Sequence, residues 1–145
     1  MKKVSLSVDE YLASLPSEFA DDMRLLDANI TKHMKDAERV IWQGVFWGGS
    51  EQTIIGYGDF TYQRPGKDVV EWFAVGLARQ KNYYSVYINA SEDGQYILKK
   101  HADKLGKVKV GSGSVSFTKL ENIHIDELMK LVDIARTHLA ENTTT

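Results

Sequence analysis

Apolar positions in this chain recur at helical spacing near both ends and alternate at strand spacing in between. Phe19, Met23, Leu26, Ile30 and Met34 are separated by fours and threes, so they share one stripe and predict a helix from about Ser17 to Asp36. Glu18, Asp21 and Asp22 fall in its first turns, and Lys32, His33 and Lys35 in its last, which suits the helix dipole. Before it, Ser7-Val8-Asp9-Glu10 has the capping-box form, flanked by Leu6 and Tyr11 as a hydrophobic staple. That helix is short because Pro16 stops it. A last helix begins near His124, with Leu128, Leu131, Val132, Ala135 and Leu139 on one face.

The middle of the chain reads as strand. Arg39 to Tyr62 carries two extended runs that meet at Gly48-Gly49-Ser50, the form of a hairpin. Val70 to Ala78 makes a third strand and Tyr83 to Asn89 a fourth, with a turn at Arg64–Asp68 before the third. Joints this short require antiparallel neighbours, since parallel pairs need a long crossover. A third helix is expected over Gln95 to Leu105, ended by Gly106. Val108 with Val110, and Val115 with Phe117, add two short strands. The fold class is therefore α+β: an antiparallel sheet of about five to six strands with helices on one face. Residues 1–141 read as a single domain and residues 142–145 as a frayed tail.

Side chains alternate along a strand, so each strand divides into two lists. Phe73, Val75 and Leu77 oppose Trp72, Ala74, Gly76 and Ala78; Tyr84, Val86 and Ile88 oppose Tyr83, Ser85 and Tyr87. One list is bulky and aliphatic, fit to lie under helices. The other mixes small residues with large rings. Gly44, Gly56, Gly58, Ala74 and Gly76 are expected to floor a shallow trough on that second face, walled by Trp42, Trp72, Tyr83 and Tyr87. The competing reading is that strand glycines mark curvature and the aromatic rings pack over the gaps.

Composition narrows the function. The 145 residues carry a net charge of −2, which gives no electrostatic reason to expect nucleic acid. Without cysteine there is no disulfide, thiolate metal site or cysteine nucleophile. Asp9 and Glu10 interrupt any signal-peptide run, and no apolar stretch approaches a membrane span, so a cytoplasmic protein is expected. His33, His101, His124 and His138 are scattered with no metal-ligand spacing. Lys107 to Ser114 lacks the G-K-[ST] ending and following helix of a phosphate loop, Gly56-Tyr57-Gly58 lacks the third glycine of a dinucleotide site, and no serine lies in G-x-S-x-G. No catalytic signature emerges, and an enzyme of unrecognised type stays as an alternative. The expectation is a binding protein taking a small molecule, another protein or a second copy of itself on the open face. Trp42, Trp47, Tyr57, Trp72, Tyr83 and Tyr87 would supply contact area, and Asp59, Gln80 and Lys81 would orient what binds.

The segments VDEYLASLP, WQGVFWGG, IIGYGDF, VEWFAVGLARQKNYYSVYI and DGQYILKKHADKLGKVKVGSGSVSFTKLENI, in that order, resemble the DUF1801 (YdhG-like) family of small bacterial proteins from about Val8 to Leu139. The resemblance implies helices on one face of an antiparallel sheet. Some members are described as frataxin-like iron chaperones. For this chain the resemblance would place weak iron binding on Glu18, Asp21 and Asp22, with Asp9 and Glu10 beside them. Lys32 and Lys35 interrupt any acidic ridge along that helix.

Overall fold

The computed structural model describes residues 2–45, 51–63, 66 and 69–143. Ser7 caps the first helix, α1 (Val8–Ser14): its hydroxyl accepts from the Glu10 amide at 3.0 Å. The second, α2 (Ser17–His33), starts directly after Pro16 and buries Ala20, Met23, Leu26, Asp27 and Ile30. It ends before Asp36, at Met34, whose amide still bonds to the Ile30 carbonyl. Lys2–Val4 forms a strand, β1, that periodicity did not reveal, because three residues are too few to show alternation.

The hairpins follow. Strand β2 (Arg39–Val45) pairs with β3 (Glu51–Gln63) from Arg39↔Tyr57 to Val45↔Glu51. The expected Gly48-Gly49-Ser50 turn and Trp47 lie outside the described residues, as does most of the Arg64–Asp68 turn. Strand β4 (Val69–Arg79) pairs with β3, and β5 (Tyr84–Ile88) with β4. Next come β6 (Ser91–Glu92), β7 (Gln95–Tyr96), α3 (Ile97–Lys100), β8 (Lys109–Val110), β9 (Ser114–Phe117) and α4 (Ile125–Thr143). The seven-stranded antiparallel sheet runs β1-β2-β3-β4-β5-β9-β8, and β6 with β7 forms a separate two-stranded ribbon.

The third helix is much shorter than its expected span. Asp93 (φ 54°) and Gly94 (φ 75°) both adopt left-handed backbone, the requirement of a tight hairpin turn. They fold Gln95 and Tyr96 back onto Ser91 and Glu92 as strand, so helix is delayed to Ile97 and followed by a 3-10 turn over Ala102–Lys104. Gly106 (φ 103°) comes next; a Cβ there would sit 2.3 Å from the Asn122 carbonyl oxygen. At the other end, α4 reaches Thr143, so Asn142 and Thr143, expected to fray, are helical.

One apolar core lies between helices and sheet. Met23, Leu26, Ile30, Leu128 and Val132 of the helices meet Ile41, Ile55, Val75, Leu77, Val86 and Ile88 of the strands. A second, smaller cluster holds Trp42, Ile54, Phe73 and Ala78, with Trp72 and Tyr87 packed against it, and contains no helical residue. No described helix is long and apolar enough to cross a membrane.

Strict alternation fails at one place, and the failure decides what the second face looks like. Tyr57↔Val75 and Asp59↔Phe73 are paired, but Gly58 and Ala74 between them are not. Gly58 has φ 77°, a backbone that residues with a Cβ rarely adopt. Tyr57 and Val75 belong to the helix-side core, whereas Phe73 belongs to the helix-free cluster. Phe73 was expected beside Val75 and Leu77; it lies just past the unpaired Gly58–Ala74 step, adjacent Ala74 and Val75 both join the helix-side core, and its ring is on the opposite side.

Candidate functional site

On the helix-free face the rings form a layer. Phe73 stacks on Trp72 (centroids 4.4 Å apart, planes at 28°) and meets Trp42 and Tyr87 edge-on at 5.9 and 6.0 Å. Trp42 and Trp72 are also edge-to-face, at 5.3 Å. Such arrangements add about 0.5–1.5 kcal/mol per pair beyond their buried area.

Glycines make the layer fit. A Cβ on Gly76 would stand 2.4 Å from Phe73 Cε1, and one on Gly56 2.6 Å from Trp42 Nε1 and 3.0 Å from Phe73 Cβ. The glycines are therefore a floor with the rings already lying on it. The expected open trough is a correction: Phe73 and Trp42 occupy it, with 0% and 4% of their surfaces exposed.

The sequence-derived contact residues separate accordingly. Trp42, Trp72 and Tyr87 come together around Phe73. Gln80 joins them through its amide, which donates to the Tyr87 hydroxyl at 3.3 Å and to Gln52 Oε1 at 3.0 Å. Burial pushes the Tyr87 phenol up, partly offset by hydrogen bonds from Gln80 and Ser85. Tyr83 stands 40% exposed beside exposed Lys81 at the β4–β5 turn. Asp59 is drawn to the other end of the face, where Lys3 Nζ reaches it at 2.9 Å while lying over the Trp42 ring.

Tyr57 is a correction. It is wholly buried on the helix side and its hydroxyl donates to Asp27 Oδ1 at 2.7 Å, so it adds nothing to the open face. Burial first, then the Asp27 carboxylate, pushes its phenol well above the usual tyrosine range. Asp27 also accepts from Arg39 Nη1 at 2.6 Å and from the Thr31 hydroxyl at 3.4 Å. The sequence carried a signal for this network: Asp27 borders the apolar stripe of α2, and Tyr57 lies in a strand list whose hydroxyl must find a partner once buried.

A second tyrosine latch ties α2 to the sheet. Tyr84 donates to Asp22 Oδ2 at 2.6 Å, and the Arg79 guanidinium lies between the Phe19 and Tyr84 rings at 3.6 and 4.7 Å. Arg79 Nε is buried with no hydrogen-bond partner among the described residues, so it is the flanking rings that it meets there. Asp22, one of the acids to which the resemblance would give iron, is thus engaged by a tyrosine. Asp21 faces Arg24 at 3.9 Å and Asp9 faces Arg39 at 3.8 Å. Among the described residues, no three His, Asp or Glu side chains are grouped so as to hold a metal ion.

Burial, and then the hydrogen bond to Asp22, pushes the Tyr84 phenol up from 10.0 to about 12, against the opposing charge of Arg79. An unfolded tyrosine releases its proton near pH 10 while the folded one keeps it, so the fold binds the extra proton and stability falls as pH rises through that window. Urea midpoints measured across the alkaline range are expected to hold up to about pH 10 and to decline toward about 12. Tyr84→Phe should flatten that decline without abolishing it, because Tyr57 is shifted the same way.

Comparison with family models, with curated proteins and with solved structures finds no match to this chain.

Proposed function

We propose that this is a binding protein whose contact surface is the helix-free side of the sheet. The observation that carries the reading is the ring layer in which half-buried Trp72 and Tyr87 rest on buried Trp42 and Phe73, on a face that, among the described residues, shares no cluster with any helix. Because Phe73 and Trp42 are buried on the glycine floor, what the face offers outward is half-buried Trp72 and Tyr87 with exposed Tyr83, and not a cavity. It suits a flat partner: an aromatic molecule laid on Trp72 and Tyr87, or the apolar surface of another chain, a second copy included. Gln80 and Lys81 stand at its rim to fix orientation.

The amphiphilic naphthalene dye ANS, whose fluorescence rises on apolar surface, tests this directly. The folded protein is expected to bind it, and Trp72→Ala with Tyr87→Ala to weaken binding about tenfold, near what losing two aromatic contacts costs. Leu25→Ser removes a residue 44% exposed on α2 and should leave dye binding unchanged. Dye binding that follows Leu25 and ignores Trp72 and Tyr87 contradicts the reading.

A further inference from the structure

Away from the ring layer, a cleft of about 390 Å³ lies between the Val4–Asp9 segment and the start of β2. Leu6 and Val40 give it apolar wall, and Asp9, Glu38 and Arg39 give it charge. Arg39 is held from behind: Nη1 donates to Asp27, and Asp27 is itself fixed by Tyr57 and Thr31. That is the one hydrogen bond the Arg39 side chain makes among the described residues. A guanidinium carries five N–H donors, so most of this one's are unused. Nη2 lies 3.8 Å from Asp9 Oδ1, too far for a hydrogen bond, and the side chain is only 30% exposed.

A buried ion pair contributes little net stability, because desolvating both charges offsets their attraction. Set at the base of a cleft, Asp27 instead acts as a brace that aims the free edge of Arg39 outward. Electrostatics selects what that edge can take. Asp9 and Glu38 line the cleft with the one guanidinium, Asp27 lies behind it, and Lys3, near enough to Glu38 to feel its charge, is engaged by Asp59. A simple anion is repelled at the mouth, and a simple cation meets Arg39 inside. A molecule bearing both charges satisfies each.

We propose that this cleft binds a small zwitterion with an apolar tail, of the α-amino-acid type. Its carboxylate lies on the free edge of Arg39, its ammonium against Asp9 and Glu38, and its tail on Leu6 and Val40. So few atoms sustain saturation only in roughly the millimolar range.

Amide-resolved NMR titration with L-leucine, and separately with isovalerate and isopentylamine, tests it, since each of the latter keeps the tail and one charge. Leucine is expected to give saturable shifts at residues 5–9 and 38–40, with both single-charge probes at least about tenfold weaker. Arg39→Lys, which cannot present a two-pronged edge, should abolish the leucine shifts. Because that change also disturbs Asp27, the exposed pair Asp9→Asn with Glu38→Gln provides a second variant. It should weaken leucine and strengthen isovalerate. Isovalerate matching leucine, leucine unaffected in the Asp9/Glu38 variant, or no saturable shifts at these residues would overturn the proposal. Each outcome is distinct from failure of the ring-layer reading, which concerns different residues.

Discussion

Gly76→Ala is expected to destabilise the protein by about 3 kcal/mol, the upper end of what overpacking costs. The added methyl would be 2.4 Å from Phe73 Cε1, and that ring cannot retreat: it is fully buried, stacked on Trp72 and braced by Trp42 and Tyr87. Gly56→Ala should behave similarly, since its methyl meets Trp42 Nε1 and Cδ1 at 2.6 and 2.7 Å. The informative experiment is the pair. Phe73→Leu alone costs about 1–2 kcal/mol for lost volume, yet combined with Gly76→Ala it should recover at least ~1 kcal/mol relative to the sum of the two. Urea unfolding of the four proteins measures this coupling. A harmless Gly76→Ala would mean that no ring lies on the glycine floor and that the trough is open.

Asp27→Asn should cost about 3 kcal/mol, for a different reason. It leaves Arg39 without the carboxylate 2.6 Å away, while Tyr57 keeps only a weaker acceptor. Removing one member of a buried ion pair is costly because the other charge stays behind; here the 30% exposure of Arg39 lets water recover part of the loss. Tyr57→Phe, which deletes a hydroxyl and leaves the ion pair, should cost about 1–2 kcal/mol. Asp27→Leu with Arg39→Met removes both charges and should fall closer to wild type than Asp27→Asn does. Urea midpoints rank the variants. If Asp27→Asn is neutral, the network is not what joins α2 to β3.

These two networks also mark where the sequence was legible. The Ser7 cap, the stop at Pro16, the stripe of α2 and the antiparallel joints all follow from local chemistry, and the sheet and helices formed as that chemistry requires. The Asp93-Gly94 turn was also written locally, but Ile97 and Leu98 gave a helical signal that outweighed it. The face of Phe73 was not legible. A strand glycine does not reveal whether its φ is positive, and the pairing is interrupted where Gly58 is left-handed, between the Tyr57–Val75 and Asp59–Phe73 pairs. Two-fold alternation thus assigned Phe73 to the helices, and it lies on the other face; Tyr57 alternates against Gly56 and Gly58, so its place on the helix side follows the alternation, and counting it among the contact residues did not. Trp42, Trp72 and Tyr87 were legible as a group because each is a large ring at a paired strand position among glycines and small residues. The Arg39 cleft escaped notice because it joins Leu6–Asp9 to Glu38–Val40 across a whole helical layer of sequence.

Chemical-shift mapping during ANS titration of the intact protein tests the central claim most directly. Shifts are expected to concentrate on Trp42, Trp72, Phe73, Gly76, Gln80 and Tyr87, with α2 and α4 silent. Shifts on the exposed faces of α2 and α4, with those strand residues unmoved, would contradict it.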